Sequence, residues 1–200
     1  MDDCCEIRPV HAQQRRVLRV VLWINLAMFV AELVAGLIAH STALLADSVD
    51  MLGDAIVYGF SLYVIARAPL WQHRAALLKG LIMAGFGIGI TAEVASKLAR
   101  GLTPEAGIMW AVALAALVAN AYVLALLRRH RADDINMRSA WLCSRNDVIA
   151  NCGVLLAALG VGWSGSAWPD ILVGLAIAAL FVTSAAGVIR DALAASLPSA

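Results

Sequence analysis

The amino-acid sequence predicts an all-α membrane protein: a bundle of six transmembrane helices with both termini in the cytoplasm. Three observations carry this reading. Of the 200 residues, 62% are hydrophobic and only 14% are charged, and the mean hydropathy is +0.82. A soluble domain is nearer half apolar and about a quarter charged. So small a globule cannot hide that much apolar surface, and a bilayer is the solvent that suits it. Second, the apolar residues fall into six blocks, each long enough for the roughly 20 residues that a spanning helix needs. Third, the basic residues divide unevenly between the two sides of those blocks.

The blocks are Val17–Ala39, Thr42–Ala66, Ala75–Leu98, Ala106–Leu127, Met137–Trp163 and Ile171–Ala195. The fourth carries no charge at all, and the sixth carries none from Ile171 to Ile189. The second and fifth are less apolar because each holds charges in mid-span. The connections are short; Ser164–Pro169 (SGSAWP) is a turn-rich loop. With the N-terminus inside, the cytoplasmic side holds Arg8, Arg15, Arg16, Arg19, Arg67, Arg74, Lys79, Arg128, Arg129, Arg131, Arg138 and Arg190. The other side holds only Lys97 and Arg100, and Arg145 lies within the fifth span. Two cytoplasmic termini require an even number of spans, and six fits. The organisation expected is therefore a tail over 1–16, a six-helix membrane domain over 17–195 and a short tail over 196–200.

The formal net charge of +1 and the lack of a basic tail give no reason to expect a nucleic-acid partner. The four cysteines, Cys4, Cys5, Cys143 and Cys152, have no framework spacing, so no disulfide scaffold is expected. The N-terminus opens with Asp2 and Asp3, and the apolar stretch that follows is too long for a cleaved signal peptide.

Ionisable groups inside a span are costly and are functional candidates by default. The second span reads ADSVDMLGDAIVY, with Asp47, Asp50 and Asp54 at i, i+3 and i+7. At 100° per residue they share an arc of about 60°. Three ionised carboxylates on one face repel each other in a low dielectric and need a cation, protons or a basic partner. Asp50 and Asp54 lie deep. Asp47 lies nearer the outer end, where it is either a solvated helix cap or part of a pathway. The fifth span reads WLCSRNDVIANCG; Cys143 and Asp147 are at i and i+4, and Asn151 continues their face. Cys152 points away and is expected to be a small core residue. Arg145 lies opposite Cys143 and is expected to pair with a carboxylate such as Glu32 or Asp47. Asp54 stands 12 residues before the inner end of its span and Asp147 stands 10 after the inner end of its own. Both are thus near mid-membrane. Asp50 and Asp54 from one helix, with Cys143 and Asp147 from another, make four oxygen and sulfur donors that suit a tetrahedral metal site.

At these residues the sequence resembles the cation diffusion facilitator family of metal efflux proteins. Asn25, Glu32, Gly36, Ser41 and Ala43–Asp47 follow the family's order and spacing. The family's paired ligands, His or Asp followed four residues later by Asp, fall on Asp50 and Asp54. Its His-xxx-Asp falls on Cys143 and Asp147, followed by NCGVLLAALG. WPD before the last span is similar to the family's Asp-Pro region. The resemblance covers nearly the whole chain in collinear order.

What it implies is a divalent heavy-metal exporter, working by proton antiport through an Asp/Asp/Cys/Asp site. Metal and protons compete for such ligands. No enzymatic activity and no resident cofactor are expected, and the chain holds no phosphate-binding loop; the metal is cargo. The thiol in place of the usual histidine leans toward Zn2+ or Cd2+, with cobalt, nickel or iron still open. Asp47, Asn151 and Glu32 are candidates for the pathway around the site. Cys4, Cys5 and His73 are weaker candidates: the cysteines sit in a polar tail with the acids Asp2, Asp3 and Glu6, and His73 is alone in the loop Arg67–Lys79. The chain reads as a short form lacking the family's cytoplasmic C-terminal domain, in a bacterial inner (plasma) membrane. A homodimer is expected, held by the spans; Gly85 and Gly89 in the third span are a small-xxx-small pair that would allow close approach. The alternative function is a membrane metal-binding sensor or accessory subunit without transport. An intramembrane aspartyl hydrolase is disfavoured because Asp50 and Asp54 share one helix and no Gly-x-Gly-Asp motif is present.

Overall fold

The computed structural model describes residues 12–63, 85, 87–131 and 135–196. Among the described residues there are six helices and no strands: α1 (Ala12–Ala39), α2 (Thr42–Tyr63), α3 (residues 87–100), α4 (Ala106–Arg128), α5 (Ile135–Ser164) and α6 (Trp168–Ser196). α1 begins five residues before the apolar block, and Arg15, Arg16 and Arg19 continue its backbone ladder. Arginine is a good helix former, and its long stem lets the charge reach water while the helix runs on. α6 likewise starts three residues early, at Trp168. Cys4, Cys5 and His73, the loop Arg67–Lys79, the first part of the third span and residues 197–200 lie outside the described residues.

α1 and α2 pack as one antiparallel pair and α4 and α5 as another; α2 also meets α5 and α6, and α1 meets α4. α2 is thus the central helix. α3 reaches the bundle through Gly87, whose missing side chain leaves room for Val182 of α6. Large apolar side chains point outward, among them Ile88 (71% exposed), Leu156 (67%) and Leu180 (67%). In water such a surface would aggregate; against lipid it costs nothing. Trp163 and Trp168 stand exposed on either side of the α5–α6 turn, where aromatic rings mark a membrane–water interface.

The three short turns, α1–α2, α3–α4 and α5–α6, lie at one end of the bundle, called here the turn end. Each carries one residue at positive φ: His40 (51°), Gly101 (64°) and Gly165 (62°). At the first two, the next residue's amide reaches back to a carbonyl five residues earlier, Ser41 to Gly36 and Leu102 to Lys97. That left-handed cap ends the helix and reverses the chain. The α1–α2 and α3–α4 connections are joined by a bond from the Glu105 amide to the Ala39 carbonyl (3.0 Å).

One buried knot holds the turn end. Asp170, in the first turn of α6, lies at the start of α2. Its Oδ1 accepts from the Ser41 hydroxyl (2.6 Å) and the Ala43 amide (3.0 Å). Its Oδ2 accepts from the Thr42 amide (2.8 Å) and from Lys97 Nζ of α3 (2.6 Å). Lys97 also donates to Thr42 Oγ1 (2.9 Å), and the Leu44 amide donates to the Ser41 hydroxyl (3.1 Å). The free amides that every helix start presents are therefore all met here. Gly174, one turn further along α6, permits the contact: a Cβ there would stand 2.7 Å from Thr42 Cγ2 and 2.8 Å from its carbonyl carbon.

Candidate functional site

Two apolar clusters divide the bundle. The first, toward the turn end, is built from small side chains, including Ala39, Ala43, Ala46, Ala113, Ala157 and Val161. The second, toward the end bearing the termini, uses larger ones: Leu18, Val21, Tyr58, Val123, Leu127 and the flanking Trp141. Between them runs a buried polar layer to which α1 gives Asn25 and Glu32, α2 gives Asp47 and Asp54, α4 gives Asn120, and α5 gives Ser144, Asp147 and Asn151. Asp50 and Cys143 are half-buried at its edge.

The layer forms because α2 and α5 turn their acid-bearing faces toward each other. Asp54 is 7% exposed and accepts from the Tyr58 hydroxyl of its own helix at 2.9 Å. That hydroxyl lies in the field of Asp54, Cys143 and Asp147 together. Asp147 is 3% exposed; its carboxyl is in hydrogen-bonding reach of Asp50 and feels the charges of Asp54, Asp50 and Asp47. Asp47 is fully buried, so it is no solvated cap. Asn151 Nδ2 donates to both of its oxygens, at 2.9 and 3.2 Å. Asn120 in turn donates to Asn151 Oδ1 (3.3 Å) and to Met51 Sδ (3.8 Å). The four residues expected as ligands thus share one layer. They are linked pairwise rather than closed around a point: among the described residues, no three His, Cys, Asp or Glu side chains are drawn together as a bound metal would hold them.

Several polar atoms in the layer have no partner: both oxygens of Glu32, Oδ1 of Asn25, Oδ1 of Asn120 and the hydroxyl of Ser144. Buried polar groups are almost always paired, and one left unpaired costs about 1–3 kcal/mol.

Two expectations are corrected. Arg145 does not pair with Glu32 or Asp47; it is exposed, and its guanidinium stacks 5.8 Å from the centre of the Trp141 ring, which Arg131 approaches at 5.3 Å. Its long stem carries the charge away from the acids along the outside of α5. Cys152 is not a core residue; it is exposed on the outer side of α5, where a small thiol is compatible with lipid. The sequence reading also missed Tyr58, Asn120 and the pairing of Lys97 with Asp170. Tyr58 was open to inference, since it follows Asp54 by four residues and so shares its face. Asn120 was also signalled, as an amide inside an uncharged apolar span.

Comparison with known proteins matches residues 18–195 to the cation efflux transmembrane domain. This chain is a member of the cation efflux family. Among its relatives is the metal cation efflux system protein CzcD of Cupriavidus metallidurans, 27% identical over 176 residues. That alignment covers 80% of this chain and 56% of the relative. The zinc transporter ZitB of Escherichia coli is 29% identical over 183 residues, 85% of this chain and 58% of ZitB. A cadmium, cobalt and zinc/H(+)-K(+) antiporter of Bacillus subtilis is 22% identical over 193 residues, 90% of this chain and 62% of that protein. The chain therefore spans little more than half the length of these relatives. As a cation efflux family member with lipid-facing helices and bacterial relatives, it is a multi-pass protein of a bacterial inner membrane.

Proposed function

We propose that this chain exports divalent metal cations, with Asp50, Asp54, Cys143 and Asp147 as the transport site and protons as the counter-ion. One observation carries the reading: carboxylates from α2 and α5 meet in a dry layer sealed on both sides by apolar clusters. In that setting the acids bind either protons or a metal ion, because the ligands must lose protons to take the metal. An access path that opens first at one end and then at the other would exchange cytosolic metal for external protons. The unpartnered oxygens of the layer and its pairwise links describe a closed state, in which the acids hold each other until cargo replaces those contacts. The cytoplasmic placement of both termini, supported by 12 basic residues against 2, makes the direction efflux.

Cys143 supports zinc or cadmium as cargo, since a thiolate favours softer cations. The experiment is metal uptake into everted membrane vesicles, offered zinc, cadmium, cobalt and manganese in turn with a pH-sensitive dye in the lumen. Zinc and cadmium should enter while protons leave, and Cys143→His should keep zinc flux while lowering the cadmium-to-zinc ratio. Binding without flux in the wild-type chain would favour the sensor or accessory reading. Equal cadmium preference in Cys143→Ala would remove the thiolate from the ligand set. A homodimer is part of the same proposal: Gly85 and Gly89 are exposed, and nothing in the chain lies within 4 Å of a Cβ built at either. This supports their use between copies rather than inside one.

A further inference from the structure

Glu32 takes no part in the four-residue site, yet it is the most isolated charge in the bundle. It stands on α1, fully buried, and neither carboxyl oxygen has a hydrogen-bond partner. A buried carboxylate in this condition is among the costliest groups a protein can hold. Across the α1–α2 interface it faces Asp47 and Asp50, whose charges it feels in that order. Asp47 is also fully buried, and its oxygens are met only by the neutral amide of Asn151. Among the described residues, no basic side chain balances this pair. Lys97 is tied to Asp170, and Arg145 lies over Trp141.

We propose that Glu32 and Asp47 form a second cation-binding position, on the side of α2 that meets α1, which takes the divalent cargo between the four-residue site and the turn end. This rests on the transport reading above and extends it. Asp47 is seven residues from Asp54, so at 1.5 Å per residue the second position lies about 10 Å nearer the turn end. Asp50 stands between the two positions, since Glu32 and Asp147 both feel its charge. The cation can then pass from one position to the next without crossing an uncharged gap. Two carboxylates without a thiolate form a harder and weaker ligand set than the four-residue site. Weak binding suits a waypoint, because conduction requires that the ion also leave.

The test is cadmium binding by the purified full-length chain in detergent, measured by equilibrium dialysis up to millimolar cadmium. The thermal midpoint of each variant is recorded to establish folding. Glu32→Gln should bind one equivalent fewer per chain than wild type, Asp147→Asn also one fewer, and the double variant two fewer. Any sites in the tail contribute equally to all four proteins. Asp47→Asn should repeat the loss seen in Glu32→Gln, and it decides the matter if Glu32→Gln does not fold. Wild-type stoichiometry and affinity in a folded Glu32→Gln or Asp47→Asn overturns the second position. A full count in Asp147→Asn together with the loss in Glu32→Gln would instead overturn the four-residue site and leave the second position standing.

Discussion

The chain buries carboxylates in two places and treats them differently. At the turn end, Asp170 accepts four hydrogen bonds, one of them from a buried lysine, and every nearby helix amide is met. In the mid-membrane layer, Glu32 has no partner, Asp47 has one neutral amide, and Asn25, Asn120 and Ser144 each leave an atom unpaired. Both places pay the same kind of desolvation cost. A saturated network repays it within the fold and joins three helices. An unsaturated one repays it only when something else arrives. Buried charge alone therefore does not mark a transport site; buried charge left short of partners does.

This contrast can be broken by substitution. Lys97→Met removes the counter-charge of Asp170 and leaves a fully buried carboxylate with only neutral donors. It should cost about 3–5 kcal/mol of stability, read as a lower unfolding midpoint in detergent. Gly174→Ala should cost about 1–3 kcal/mol, because its Cβ would press on the backbone of Thr42. Gly153→Ala, on α5, meets only Val173 Cγ1 at an ordinary 3.7 Å and serves as the control. In the polar layer the effects should fall on transport instead. Tyr58→Phe removes the donor to Asp54 and should slow flux about tenfold, the worth of one hydrogen bond of ~1.4 kcal/mol, with little change in the unfolding midpoint. A large stability loss in Tyr58→Phe, with unchanged flux per folded molecule, would place the layer on the structural side of the comparison.

The fold was legible because the bilayer imposes a simple code: long apolar blocks, short polar turns, helices between them. The acids of α2 and α5 were legible for the same reason, since spacing of three, four and seven puts them on one face whatever the neighbours do. What could not be read was direction and partnership across the bundle. Arg145 and Cys152 were assigned to the interior from a helical wheel, which gives angles between residues but not which angle faces lipid. Lys97 looked like one of two basic residues flanking the membrane; its partner Asp170 is 73 positions away, and that meeting depends on how α3 and α6 approach α2. Glu32 was visible as a buried acid. Its lack of any partner is a property of the packed bundle and has no trace in the order of residues.

The most direct test of the account compares Asp147→Asn with Asp170→Asn in reconstituted vesicles, reading zinc or cadmium flux per folded molecule beside the unfolding midpoint. Asparagine keeps the shape of each side chain and removes its charge. The account predicts that Asp147→Asn loses flux to the level of empty vesicles with an unfolding midpoint near wild type, while Asp170→Asn lowers the midpoint and retains flux in the fraction that stays folded. A folded Asp147→Asn that carries metal at close to the wild-type rate would contradict it.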